Sequence, residues 1–151
     1  GSFDPDPYPE FGIHKFSFSV CLVDSISNRE LIQHAYNFNH PLNVISSTIH
    51  EGSLPTSNSF VKLVEGDVAL SAIKMAENKG DSKSIVVRAY ETEGKCTKAV
   101  LQFCKRPVNA YYVDLNECAV DGSPNISIDD GCVIFEVGPY QVANLCIEFK
   151  N

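Results

Sequence analysis

Residues 126–137 read Ile126-Ser127-Ile128-Asp129-Asp130-Gly131-Cys132-Val133-Ile134-Phe135-Glu136-Val137. Two short apolar runs flank Asp130-Gly131, a dipeptide suited to a type I′ turn because that turn needs positive φ at both central positions. The stretch therefore predicts an antiparallel hairpin. Working outward, similar short runs recur at Phe60–Val64, Val68–Met75, Ile85–Tyr90, Ala99–Phe103, Ala110–Leu115 and Val142–Phe149. Asn78-Lys79-Gly80-Asp81 and Glu93-Gly94 are expected as further hairpin connections. The spacing leaves no room for crossover helices, so the fold class is all-β: an antiparallel β-sandwich, open to an immunoglobulin-like topology, with one short helix. There is no Trp, so the Cys-Trp-Cys core signature of a true immunoglobulin domain is absent.

The helix is expected early. Ser27-Asn28-Arg29-Glu30 has capping-box spacing, and Leu31, Ile32, Ala35 and Tyr36 follow on one face before Pro41. Upstream, the prolines of Asp4-Pro5-Asp6-Pro7-Tyr8-Pro9 suit a lead-in linker. Between His14 and Leu22 the residues Phe16, Phe18, Val20 and Leu22 alternate with Lys15, Ser17, Ser19 and Cys21, which predicts a strand buried on one face. Residues 46–58 are rich in Ser, Thr, Gly and Pro and read as a surface connection. The chain is taken as a single accessory module, residues 1–151. The alternative division assigns 1–45 to the end of a preceding β-domain and 66–151 to a terminal sandwich, linked by 46–65.

A chain of 151 residues with 44% hydrophobic and 21% charged side chains has enough apolar content for one core. Its net charge of −7 and pI near 5.0 oppose binding to a polyanion, so nucleic acid is not expected as a partner. Nor is a membrane, because no apolar run approaches the roughly 18 residues of a spanning helix. Lacking an initiator Met, the sequence reads as a fragment. Cys21, Cys96, Cys104, Cys118, Cys132 and Cys146 contain no Cys-x-x-Cys pair. Apolar flanks such as Val20-Cys21-Leu22 favour buried free thiols and hence a reducing, cytoplasmic location. The sequon Asn125-Ile126-Ser127 points instead to a vacuolar or secretory one.

No catalytic set emerges. The sequence has no Gly-x-Ser-x-Gly elbow and no phosphate-binding glycine loop. His14, His34, His40 and His50 lack metal-ligand spacing and read as ordinary side chains, so no metal site is assigned. The carboxylate pairs Asp4/Asp6, Glu91/Glu93 and Asp129/Asp130 are too close in sequence to face one another across a glycosidic bond, and Asp129-Asp130 suits a hairpin. Arg88, set in Ile85-Val86-Val87-Arg88-Ala89-Tyr90-Glu91, reads first as a packed or ion-paired side chain and second as a sugar contact.

Five stretches together resemble the C-terminal part of glycoside hydrolase family 38 α-mannosidases. Gly12-Ile13-His14-Lys15-Phe16-Ser17-Phe18-Ser19 is similar to the family's Gly-x-His-x-Phe-x-Tyr strand, and Ala35-Tyr36-Asn37-Phe38-Asn39-His40-Pro41-Leu42 to the Ala-x-x-x-Asn-x-Pro-Leu that follows. Val68-Ala69-Leu70-Ser71-Ala72-Ile73-Lys74-Met75-Ala76-Glu77 resembles a strand ending in Lys-x-x-Glu, and residues 85–91 resemble Val-Arg-x-Tyr-Glu. Phe135-Glu136-Val137-Gly138-Pro139-Tyr140-Gln141-Val142 resembles the closing Pro-x-x-Val/Ile strand. Pro9-Glu10-Phe11 and Val23-Asp24 depart from the family pattern around the first strand.

The resemblance implies a parent that is a retaining, metal-dependent α-mannosidase acting on terminal α-D-mannosidic bonds of mannose oligosaccharides. Zinc or another divalent cation is expected in its catalytic barrel, and no cofactor in this fragment. No family nucleophile, acid or ligand maps onto this chain, so the resemblance implies an immunoglobulin-like or galactose-mutarotase-like accessory sandwich, a scaffold packed against the parent's barrel, with a homo-oligomer contact as a further expectation. The competing readings are a carbohydrate-binding module, with Arg88, Tyr111, Tyr112 and Tyr140 as candidate contacts, and a protein-interaction module using edge strands.

Overall fold

The computed structural model describes residues 11–77 and 83–150. Eight strands form two four-stranded antiparallel sheets: β1 (Val61–Glu65), β2 (Val68–Met75), β3 (Lys83–Glu91), β4 (Thr97–Phe103), β5 (Pro107–Tyr112), β6 (Ile126–Asp129), β7 (Cys132–Val137) and β8 (Val142–Phe149). The first sheet has the order β1-β4-β7-β6 and the second β2-β3-β8-β5. The 126–137 hairpin forms as expected. Ile128 pairs with Val133 and Asp129 with Cys132, while Asp130 and Gly131 adopt φ of 40° and 80°.

Strand alternation builds the core. Ile85, Val87 and Ala89 of β3 and Ala143, Leu145, Ile147 and Phe149 of β8 face Ala99, Leu101 and Phe103 of β4 and Val133, Phe135 and Val137 of β7. Burying each large apolar side chain contributes about 1.5–3 kcal/mol. Phe60, Phe103 and Phe149 close one end of the sandwich with ring centroids 5.8–6.3 Å apart. Tyr112 ties the sheets together, its hydroxyl donating to the Glu136 carbonyl at 2.6 Å and accepting from the Glu136 N–H at 3.1 Å.

The strand order explains the immunoglobulin likeness. β1-β4-β7-β6 has the neighbour relations of strands A-B-E-D in that fold, and β5 beside β8 those of C and F. The place of strand G is taken by β3, which arrives early, in the β2–β3 pair between the A and B equivalents. Consequently β3 and β4 lie in opposite sheets. Glu93-Gly94 is thus a crossing between sheets and not a hairpin. The other expected hairpin connection, residues 78–81, lies outside the described residues.

Three further expectations are corrected. Residues 14–22 form no strand; Phe16, Phe18, Val20 and Leu22 are each more than 80% exposed, because a strand needs a neighbouring edge to take its backbone hydrogen bonds and no described segment supplies one. The strand expected at Ala110–Leu115 ends at Tyr112, since the Asp114 carboxylate accepts the N–H groups of Asn116 and Cys118, each at 2.8 Å, and turns the chain. The six cysteines are unpaired, but only Cys146 is buried. Cys96, Cys104 and Cys118 fall in connections, and Cys21 on the unpaired segment.

Helix α1 (Asn28–Asn39) forms with its capping box: the Ser27 side chain accepts from the Glu30 N–H and the Glu30 carboxylate accepts from the Ser27 N–H. That backbone N–H holds the Glu30 carboxyl below its ordinary value. The helix lies along β2 with Ile32 and Tyr36 half-buried. Residues 61–65, which the alternative division counts with the linker, form edge strand β1.

Candidate functional site

The end of the sandwich opposite the phenylalanine cluster is organised by one carboxylate. Glu91, the last residue of β3, points inward because alternation places it on the face of Val87 and Ala89, and it is 2% exposed. No cation meets it. It accepts the Glu93 N–H at 2.7 Å, the Gly94 N–H at 2.8 Å and the Tyr140 N–H at 2.9 Å. Burial pushes its carboxyl up, but these N–H groups together with that of Lys95 outweigh burial and leave it below its ordinary value. Glu91 thereby pins the β3–β4 connection to the β7–β8 turn.

The same connection anchors the helix. The Glu93 carboxylate accepts the Arg29 N–H at 3.2 Å and the Asn28 side-chain amide at 3.3 Å, while that amide also donates to the Thr92 carbonyl at 2.9 Å. A carboxylate at a helix N-terminus satisfies free amides and complements the helix dipole. Further along, Tyr36 hydrogen-bonds Tyr90; that bond and burial push the Tyr90 hydroxyl up to about 12.

A second polar cluster sits at the far end of β2. The Lys74 ammonium lies 2.6 Å from both Glu77 and Glu117, and Glu117 also accepts the Glu77 N–H at 2.7 Å. Hydrogen bonds to Glu117 and then Glu77 raise Lys74 above its ordinary value. These ties fix the 113–120 loop to β2. They account for the Lys-x-x-Glu spacing as a fastening.

The four sequence candidates do not converge. Arg88 lies on the outward face of the second sheet, half-buried, its Nε donating to the Asn144 Oδ1 at 2.7 Å. Tyr111 is on the same face, where it packs against Val86, Val113 and Cys146 and donates to Glu148 at 3.1 Å. Tyr112 points into the core, and burial pushes its hydroxyl up; it has no face to offer a ligand. Tyr140 stands alone at the β7–β8 turn, 74% exposed. Asp129 and Asp130 serve the β6–β7 hairpin. The histidines are exposed and, among the described residues, no three His, Cys, Asp or Glu side chains gather as a metal site.

Sequence reasoning missed Glu91 and Glu117 as organising groups. In the sequence Glu91 stands out only as a neighbour of Glu93; its inward register on β3 is the available signal. Glu117, in a loop with φ of 63°, left no pattern to read.

The family described as glycosyl hydrolases family 38 C-terminal beta sandwich domain matches residues 67–145, from the β1–β2 turn into β8. Alpha-mannosidase 2C1 of Homo sapiens is 26% identical over 144 residues, 95% of this chain and 14% of that protein. Alpha-mannosidase 2C1 of Mus musculus is 28% identical over 149 residues, 97% of this chain and 14% of the relative. The chain therefore spans about one seventh of the length of these curated relatives.

Proposed function

Because the chain belongs to the family of glycosyl hydrolase family 38 C-terminal β-sandwich domains, we propose that it is the non-catalytic closing sandwich of an α-mannosidase. The parent would hydrolyse terminal α-D-mannosidic bonds of mannose oligosaccharides, with a divalent metal, zinc by resemblance, held in its catalytic barrel. The observation that carries this reading is the coincidence of the family match, residues 67–145, with the sandwich itself, whose buried carboxylates are consumed in fastening loops. Glu91 and Glu117 hold the molecule's own backbone and ammonium groups, which leaves neither placed for acid–base work on a substrate.

The partner we propose is the catalytic barrel of the same parent chain. Support comes from residues 14–22, where Phe16, Phe18, Val20 and Leu22 alternate with smaller or polar side chains along an exposed segment that belongs to no helix or strand. Such a segment suits addition to a sheet edge elsewhere in the parent, as the division at residue 45 would have it. Helix α1, by contrast, is fastened to the sandwich through Glu93 and Tyr90. The unpaired thiols support a reducing, cytoplasmic setting.

The test compares three preparations on an aryl α-mannoside with zinc: the full-length parent, the parent lacking the region equivalent to residues 11–151, and this chain alone. Turnover is expected from the first, a large loss from the second and none from the third. Turnover by the rigorously purified chain, or an inert full-length parent, overturns the proposal.

A further inference from the structure

Gly138-Pro139-Tyr140-Gln141 closes with the Gln141 N–H on the Gly138 carbonyl at 3.1 Å, and Tyr140 has φ of 54°. Proline in the second place and a left-handed residue in the third is the arrangement of a type II turn, whose third place favours glycine or asparagine. A tyrosine here keeps its backbone in a sparsely populated conformation, and the ring it carries is 74% exposed. The residue's backbone is nevertheless held and one edge of its ring rests on a neighbour. Its N–H is held by the buried Glu91 carboxylate, and it lies on Gly94, where an added Cβ would come within 2.6 Å of Tyr140 Cζ.

Beside the turn opens a cleft of about 490 Å³, whose lining includes Thr97, Lys98, Glu136, Gly138 and Gln141. Lys98 and Glu136 are cross-strand partners on the outward face of the first sheet. A cation and a carboxylate together on one wall disfavour a ligand of either charge. The Thr97 hydroxyl and the Gln141 Oε1 already accept the Asp67 and Gly138 N–H groups, so Lys98 and the Gln141 NH₂ are left as donors and Glu136 as acceptor, a set that suits a neutral polyol. The exposed Tyr140 ring, which stands beside the cleft and not in its lining, suits the apolar face of a pyranose.

We infer that Tyr140 and the adjoining cleft form a carbohydrate-binding site for a neutral hexopyranoside, separate from any catalytic centre. The choice of mannosides as probes rests on the α-mannosidase reading; the site geometry does not.

The experiment is an NMR titration of the full 151-residue chain with methyl α-mannoside, α-mannobiose and, as an unrelated hexoside, methyl β-galactoside. Saturable amide shifts confined to residues 96–98 and 136–141 are expected with at least one sugar. Tyr140→Asn keeps the left-handed preference and the N–H to Glu91 but removes the ring. It is expected to weaken binding at least ten-fold while leaving Tm unchanged or higher, and Tyr140→Phe is expected to retain binding. No saturable shift with any sugar, shifts centred elsewhere, or undiminished binding by Tyr140→Asn overturns the site. So does a marked fall in Tm for Tyr140→Asn, which would show the ring to be kept for packing. Shifts with galactoside alone would support the site while counting against the mannoside expectation. None of these outcomes depends on turnover by the parent.

Discussion

Replacing Glu91 by glutamine removes one charge and one acceptor from a site that serves three backbone donors. The side chain is 2% exposed and accepts N–H groups at 2.7, 2.8 and 2.9 Å. Glutamine has one carbonyl oxygen, so at least one donor faces an NH₂ and loses its partner, at a cost of about 1–3 kcal/mol. The bonds that survive fall from charge-assisted to neutral strength, each losing about 1 kcal/mol. Against this, the fold no longer has to desolvate a carboxylate, which returns on the order of 2 kcal/mol. The net expectation is a destabilisation of about 2 kcal/mol. For a sandwich running from Val61 to Phe149, that corresponds to a fall in Tm of roughly 8–16 °C.

The pH dependence makes the test specific. Since the folded carboxyl lies below its ordinary 4.5, its contribution is fully present above the unfolded value and is lost as pH falls through the folded one. Between neutrality and pH about 5 the wild-type and Glu91→Gln denaturation midpoints should differ by a constant amount. Below about 4.5 the gap should narrow, because wild type loses what the variant never had. Urea unfolding followed by far-UV circular dichroism measures both. A midpoint difference equivalent to less than about 0.5 kcal/mol, or a gap that does not narrow in acid, refutes the assignment of Glu91 as the fastening of this end.

Other substitutions probe the same architecture. Gly94→Ala forces a Cβ into a left-handed position against the Tyr140 ring and should cost about 1–2 kcal/mol in thermal unfolding, with Tyr140 becoming more accessible to nitration. Ser27→Ala removes the acceptor for the Glu30 N–H and should cost about 1 kcal/mol of helix stability, seen as faster amide exchange over residues 28–31. Glu117→Ala should free the 113–120 loop from Lys74 and Glu77, lowering stability by about 1–3 kcal/mol and raising exchange at Glu77. Phe135→Ala empties the centre of the core and should cost about 3–5 kcal/mol, enough to unfold much of the population at 37 °C.

Local chemistry determined a great deal of this fold. Asp130-Gly131 specified its turn because few dipeptides accept positive φ twice, and Ser27 with Glu30 specified a helix start because their side chains satisfy amides that nothing else nearby reaches. Strand positions were legible wherever alternation or an apolar run lay between turn residues, as in Val68–Met75 and Val142–Phe149. The alternation at residues 14–22 was equally clear, yet it yielded no strand, because a strand also requires an edge to pair with and that edge is not a local property. The sheet to which each strand belongs was likewise invisible. Glu93-Gly94 looks like a hairpin turn, and only the packing of β3 against β8 and of β4 against β7 shows it to cross between layers. Side-chain roles followed the same division. Tyr111 and Tyr112 are adjacent in sequence, but the pleat sends one outward and one into the core. That Glu91 ties the adjacent Glu93 and Gly94 amides to that of the distant Tyr140 was decided by tertiary structure, which brings residues 91–95 and 138–141 to the same end of the sandwich.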